Sequence, residues 1–206
     1  MVTEKRNEKL KHLAANRQKG LTVILENVHD PHNLGAVLRT CDSIGIHEIY
    51  ALYTIESKYK LKSWTGHRSS SGAKKWVQVH YFDNVDACFS AVREKYDKIY
   101  GTHLSESTVS LYELPLAESV ALLFGNEHRG VSAEAVAKLD GNFLIPQVGM
   151  TQSLNISVAC AVSLYEAMRQ RIEANLYNQS YDPSQPFQKE MYDHYVNISK
   201  PPKPLK

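Results

Sequence analysis

From Leu21 to Ile172 short apolar, β-branched runs alternate with stretches of helical periodicity, and this alternation restricts the fold more than any other feature. LTVILENV (21–28), HEIYALY (47–53), WVQVHYF (76–82), KIYGTHL (98–104), VALLFGNE (120–127) and NFLIP (142–146) read as strands. DPHNLGAVLRTCDSIG, residues 84–95 and SAEAVAKL carry helical spacing between them; in the first, Leu34, Val37, Leu38 and Cys41 share one face. LNISVACAVSLYEAMRQRI closes the series with a long helix. Strands that alternate with helices across short turns imply an α/β fold: a mostly parallel sheet with helices on both faces. Ligands of such sheets bind beyond the carboxyl ends of the strands. Three segments leave those ends: ENVHDPHNLG, FGNEHRG and IPQVGMTQSLN.

Around this unit lie two extensions. Residues 1–20, with a helix over 4–18, hold six Lys/Arg against two Glu; residues 173–206 form a docking or flexible extension to the domain at 21–172. Net charge is only +2, so affinity for an anionic polymer has to come from local clustering. Cys41, Cys88 and Cys160 are odd in number and lack CxxC spacing, which fits reduced thiols in a cytoplasmic protein rather than disulfides or zinc. MVTEKRNEKLKHLAANRQKG has no apolar core of a secretory leader.

Gly141 to Tyr165 contains no Asp, Glu, Lys or Arg. The run is long enough for a membrane span, but Pro146, Gly149 and the unpaired amides they would leave in lipid oppose one. Gln147, Thr151, Gln152, Ser153, Asn155 and Ser157 instead make a neutral polar stretch before a helix, which Ser153 can cap with Asn155 in the first turn. Such a cup suits a ligand that carries its own charges and a flat base. In FGNEHRG, Gly125 permits close backbone approach and Glu127 places a carboxylate at a strand end, free to accept from a hydroxyl or to hold Arg39 or Arg129. In HDPHNLGAVLRT, Asn33 can cap a helix on which Arg39 follows about 1.7 turns later, and a phosphate fits between them if the long Arg39 side chain folds back to the helix end. His29 and His32 lack a third metal ligand at suitable spacing, and no metal is expected. No GxGxxG follows the first strand, which argues against a dinucleotide-linked dehydrogenase.

Together these segments resemble a known family. Asn33-x-Gly35-x-x-x-Arg39-Thr40, Phe124-Gly125-Asn126-Glu127-x-x-Gly130 and Ile145-Pro146-x-x-Gly149-x-x-x-Ser153-Leu154-Asn155-x-Ser157 match, in order and spacing, the three motifs of the TrmH family in the SPOUT class of RNA methyltransferases. VHDPHN, THLSES and VGMTQSLNISVA are most similar to members acting on tRNA guanosine. The resemblance implies a C-terminal deep trefoil knot, a homodimer, and S-adenosyl-L-methionine held by Thr102, Gly125, Ile145, Met150 and Leu154. It implies methylation of a ribose 2′-hydroxyl, at guanosine 18 of the tRNA D-loop. Methylation of rRNA or of a tRNA wobble nucleotide, or a silent RNA-binding protein with the same fold, are its alternatives. Arg39 would be the catalytic arginine, either as a base with a strongly depressed pKa or as a fork that orients ribose and phosphate; a normal guanidinium favours the second. Glu127, Ser153 and Asn155 would position Arg39 and the nucleotide, with Asn33 in support. Asn126 receives no role.

The tRNA is expected on two basic clusters. One is the first helix, with Lys9, Lys11 and Arg17; the other is the loop after the second strand, with Lys60, Lys62 and Arg68 beside Tyr59 and Trp64, whose rings suit base stacking.

Overall fold

The computed structural model describes residues 3–55, 72–151 and 153–199. Seven parallel strands form one sheet in the order β3-β2-β1-β6-β4-β7-β5: β1 (Leu21–Glu26), β2 (Glu48–Leu52), β3 (Gln78–Phe82), β4 (Lys98–Thr102), β5 (Val109–Ser110), β6 (Val120–Phe124) and β7 (Gly141–Leu144). Period-two alternation sorts β1 between the two faces. Leu21, Val23 and Leu25 pack with α2 (Pro31–Ser43) and α5 (Ile156–Glu173), through Leu34, Val37, Leu38 and Cys41 of the first and Cys160, Leu164 and Ala167 of the second. Ile24 turns to the opposite core, built with Val85, Cys88, Phe89 and Val92 of α3 (Val85–Arg93) and Ala135 of α4 (Ala133–Val136). A strand covered on both faces has no polar side, and LTVILE is buried at every position.

The uncharged run is divided between β7, a loop and α5, and no helix among the described residues is long and apolar enough to cross a membrane. The three cysteines are buried and free. Two short elements escape periodicity because they are too brief to show any: β5, of two residues, and the 3-10 turn Leu111–Glu113, closed by a Ser110/Glu113 capping box.

The amino-terminal end of the sheet is closed by two buried arginines. Arg171 of α5 donates to the carbonyls of Leu116, Gly20 and Glu118 and to Gln18 Oε1; burial lowers its pKa to about 10, so it stays charged at neutral pH. Arg17 corrects an expectation. The first helix, α1 (Glu4–Ala15), ends before it, and the chain enters the interior instead of continuing a basic surface. Arg17 is 4% exposed. Its guanidinium donates to Tyr195 Oη (2.7 Å), Ile46 O (2.9 Å), Asp42 Oδ1 (2.8 Å) and Trp76 O (3.0 Å), which fills its fork and leaves nothing for RNA. Tyr195 belongs to α6 (Pro186–Ser199), so the two extensions meet here: Leu10 and Ala14 of α1 pack on Met191 and Tyr195, with Trp76 and Phe187 alongside.

Arg17→Met is expected to cost about 3–5 kcal/mol in urea unfolding, since it strands a carboxylate, a hydroxyl and two carbonyls around an apolar stem. Lys9→Met, on the exposed side of α1, is expected to stay within about 0.5 kcal/mol.

Candidate active site

The carboxyl ends of β4, β6 and β7 and the start of α5 surround a half-open cleft of about 280 Å³. Thr102, His103 and Leu104 follow β4; Gly125, Asn126, Glu127 and Gly130 follow β6; Leu144, Ile145 and Gln147 follow β7; Ser153, Leu154 and Ile156 lead into α5. Phe124 and Phe143 make an edge-to-face pair in its floor, with centroids 6.1 Å apart. Gly125 has a steric reason to be glycine. A Cβ there would land on the backbone of Gly130 and Val131, because residues 126 and 130 close a tight turn with hydrogen bonds in both directions (3.0 and 2.8 Å).

Three chain segments join at the rim through Asn33. Its Nδ2 donates to Glu127 Oε1 at 2.6 Å, and its Oδ1 accepts from Asn155 Nδ2 at 3.1 Å. Asn155 is the N-cap of α5; its Oδ1 accepts from Ser157 N (2.9 Å) and Ser157 Oγ (2.6 Å). The cap of α2 is Asp30, which accepts from His32 N at 2.8 Å, with Pro31 in the first turn. Both caps thus differ from the expectation: Asp30 replaces Asn33 and Asn155 replaces Ser153, which frees Asn33 to bridge and leaves Ser153 on the cleft wall. His29 stacks on Tyr53, centroids 5.5 Å apart. Burial lowers the pKa of its imidazole, with the charge of Glu127 pulling the other way.

Of the residues expected to hold a cofactor, Thr102, Gly125, Ile145 and Leu154 line the cleft. Met150 does not; it is fully exposed, carried outward by the loop between β7 and α5. Arg39 lies outside the lining, exposed on α2, with no partner among the described residues. The lining also includes one carboxylate, but an oxygen of Glu127 is turned onto Asn33 rather than presented bare. Gln147 belongs to the neutral polar stretch read as a ligand cup, whereas the sequence assigns His103 and Leu104 no role of their own; their position after a strand end is the signal for it. Asn126, which had been given no role, is fully engaged: Nδ2 donates to Asn27 O, and Oδ1 accepts from His128 N and Arg129 N.

On α1, Lys9 is exposed and lines a shallow groove with Lys5, Arg6, Leu10, Leu13 and Trp76, while Lys11 pairs with Glu8 at 2.8 Å. Lys60, Lys62, Arg68, Tyr59 and Trp64 lie outside the described residues.

Residues 20–165 match the SpoU rRNA Methylase family. The chain belongs to that family. It is similar to a Thermus thermophilus protein named tRNA (guanosine(18)-2′-O)-methyltransferase, 40% identical over 191 residues, which are 93% of this chain and 96% of that one. Among solved structures, it resembles the Aquifex aeolicus TrmH/SpoU tRNA modifying enzyme, with TM-score 0.81 and 33% identity over 98% of this chain and 100% of that one. It also resembles the SpoU methyltransferase AviRb of Streptomyces viridochromogenes in complex with AdoMet, with TM-score 0.66 and 26% identity over 76% of this chain and 62% of that one. The match to this SpoU family spans all three segments of the cleft.

Gly125→Ala is expected to lower Tm by roughly 4–8 °C in calorimetry, because the turn carrying Glu127 must move to admit the methyl group. Gly149→Ala, with open space around it, is the control and is expected to leave Tm unchanged.

Proposed function

We propose that this chain transfers the methyl group of S-adenosyl-L-methionine to the ribose 2′-hydroxyl of guanosine 18 in the D-loop of tRNA. The observation that carries this is the single cleft formed by the ends of β4, β6 and β7 and the start of α5, closed at its rim by the Asn33 bridge. The names of the Thermus and Aquifex relatives, at near-complete mutual coverage, support tRNA as substrate. The AdoMet complex of AviRb supports the methyl donor.

The cleft fits such a cofactor: apolar side chains such as Leu104, Phe124, Ile145 and Leu154 can flank a base, and Thr102, Gln147 and Ser153 bring neutral polar groups to it. Thr102, Gly125, Ile145 and Leu154 would hold it. When bound, S-adenosylmethionine supplies a methyl cation equivalent to the ribose oxygen and leaves as a neutral thioether. A site for that reaction gains by lacking a bare carboxylate, which would stabilise the charged ground state more than the transition state. The uncharged stretch from Gly141 meets that requirement, and the bond from Asn33 holds one oxygen of Glu127 at the rim.

Arg39 orients the ribose and its phosphate through its fork, in its own site or in that of a partner, while the hydroxyl proton passes to water or phosphate. Free of partners in the described residues, it has its donors available. Ser153 and Asn155 hold the nucleotide beside Glu127, with Asn33 fixing Asn155 and Glu127 from α2. Correct placement of hydroxyl, methyl and sulfur can itself be worth about 7–11 kcal/mol.

The C-terminal third forms the trefoil knot in this reading, supported by β7, which is last in sequence yet lies between β4 and β5. Two copies associate through α5, where Val158, Tyr165 and Ile172 are exposed at seven-residue spacing and Ala161 and Val162 lie between them. The tRNA contacts Lys9 and its groove on α1, Lys11, and Lys60, Lys62 and Arg68 of the loop; the protein acts in the cytoplasm.

Nuclease mapping of tRNA incubated with the protein and labelled cofactor is expected to find one 2′-O-methyl group, at guanosine 18. Arg39→Lys is expected to retain less than about a tenth of the turnover, since an ammonium cannot reproduce the fork. A methyl group at another nucleotide, or retention above that tenth, would contradict the assignment.

A further inference from the structure

The turn that carries Glu127 is clamped at both ends by the last residue of β1 and the one after it. At its start, Asn126 Nδ2 donates to Asn27 O at 2.8 Å. At its finish, Ser132 N donates to Glu26 Oε2 at 3.0 Å, and the Ser132 hydroxyl caps α4. Between them Asn126 Oδ1 gathers His128 N (2.9 Å) and Arg129 N (3.1 Å), so the same amide shapes the turn and ties it down.

The anchor is itself anchored. Asn27 is left-handed, with φ 55°, a conformation asparagine tolerates better than most residues. Its side chain holds the chain leaving β2: Nδ2 donates to Thr54 Oγ1 (3.0 Å), while Oδ1 accepts from Thr54 N (3.0 Å) and Ile55 N (3.2 Å). Glu26 is fully buried, and its second carboxylate oxygen has no partner among the described residues. Burying an ionisable side chain for one backbone bond is costly, and a surface turn that only linked two elements would not need it.

We infer that Asn126 and Glu26 are positioning residues, which fix the backbone of residues 126–132 so that Glu127 meets Asn33. A path of hydrogen bonds runs from Thr54 through Asn27 to Asn126, crosses the peptide bond to Glu127, and continues from the Glu127 carboxylate to Asn33 and Asn155. It joins the exits of β1, β2 and β6 to the starts of α2 and α5. Neither residue touches the reacting atoms in this account; each acts through Glu127. The inference rests on the proposed methyl transfer.

Asn126→Asp is the informative variant: it keeps an acceptor for His128 N and Arg129 N but replaces the donor to Asn27 O with a repelling oxygen. It is expected to lower kcat by about 10- to 100-fold, with KM for tRNA and the Kd of S-adenosylhomocysteine within about threefold. Combined with Glu127→Ala, it is expected to lower kcat less than about twofold further, because the residue it acts through is gone. The same cycle read in urea does not depend on residual activity. The midpoint shift caused by Glu127→Ala is expected to be at least halved when Asn126 is already Asp. Equal effects of Asn126→Asp with and without Glu127, in rate or in midpoint, or an unchanged kcat, would overturn the inference while leaving the methyl-transfer reading intact. A wild-type protein that methylates no tRNA would overturn the reading and the inference built on it.

Discussion

Asn33 is the residue through which three distant parts of the chain become one site. It lies 94 residues from Glu127 and 122 from Asn155, and bonds both with opposite ends of one amide. The bond to Glu127 is short and charge-assisted, the stronger kind. An amide suits the task because it donates on one side and accepts on the other. A carboxylate at position 33 would repel Glu127, and an ammonium would leave Asn155 Nδ2 without an acceptor. Because α2 starts at Pro31 with Asp30 as cap, Asn33 falls in the first turn of the helix, at the level where β6 and α5 also present their ends.

The two ends of the sheet use polar groups differently. At the amino-terminal end, Arg17 and Arg171 spend their charge on buried carbonyls and one carboxylate, and the result is a frame that joins α1, α5 and α6 to the strands. At the carboxyl end the groups are mostly neutral, and the single carboxylate of the cleft rim is held by an amide. Stiffness at one end and an open, largely uncharged cleft at the other follow from where the chain places its charge. Clamping of the 126–132 turn extends that stiffness to the one part of the cleft that carries charge.

The fold class was legible because strands buried on both faces, such as LTVILE, and helices with one apolar stripe, such as α2, leave period in the sequence. Phe124–Gly125 and Ile145 were legible as cleft residues for the same reason: they sit where a strand stops. Arg17 was not legible. A basic residue beside Lys19 in a polar leading segment looks solvated, and only the partners brought by Asp42, Ile46, Trp76 and Tyr195 reveal a buried fork. Met150 was misplaced because the family pattern fixes neighbours along the chain, whereas the loop turns that side chain outward. Ser153 and Asn33 were both reasonable caps by residue type. Asp30 and Asn155 won because Pro31 and Ile156 set the first helical residues one step after them. Asn126 gave no sign of its importance, since its partner Asn27 is 99 residues away.

The central claim is that the cleft joined by Asn33 receives the methyl donor. A crystal structure of the protein grown with S-adenosylhomocysteine tests it directly. The account expects the thioether sulfur in the cleft against Gly125, Ile145 and Leu154, with both hydrogen bonds of Asn33 intact. Nucleoside density at another place on the molecule, or an occupied cleft in which Asn33 has let go of Glu127 and Asn155, would contradict it.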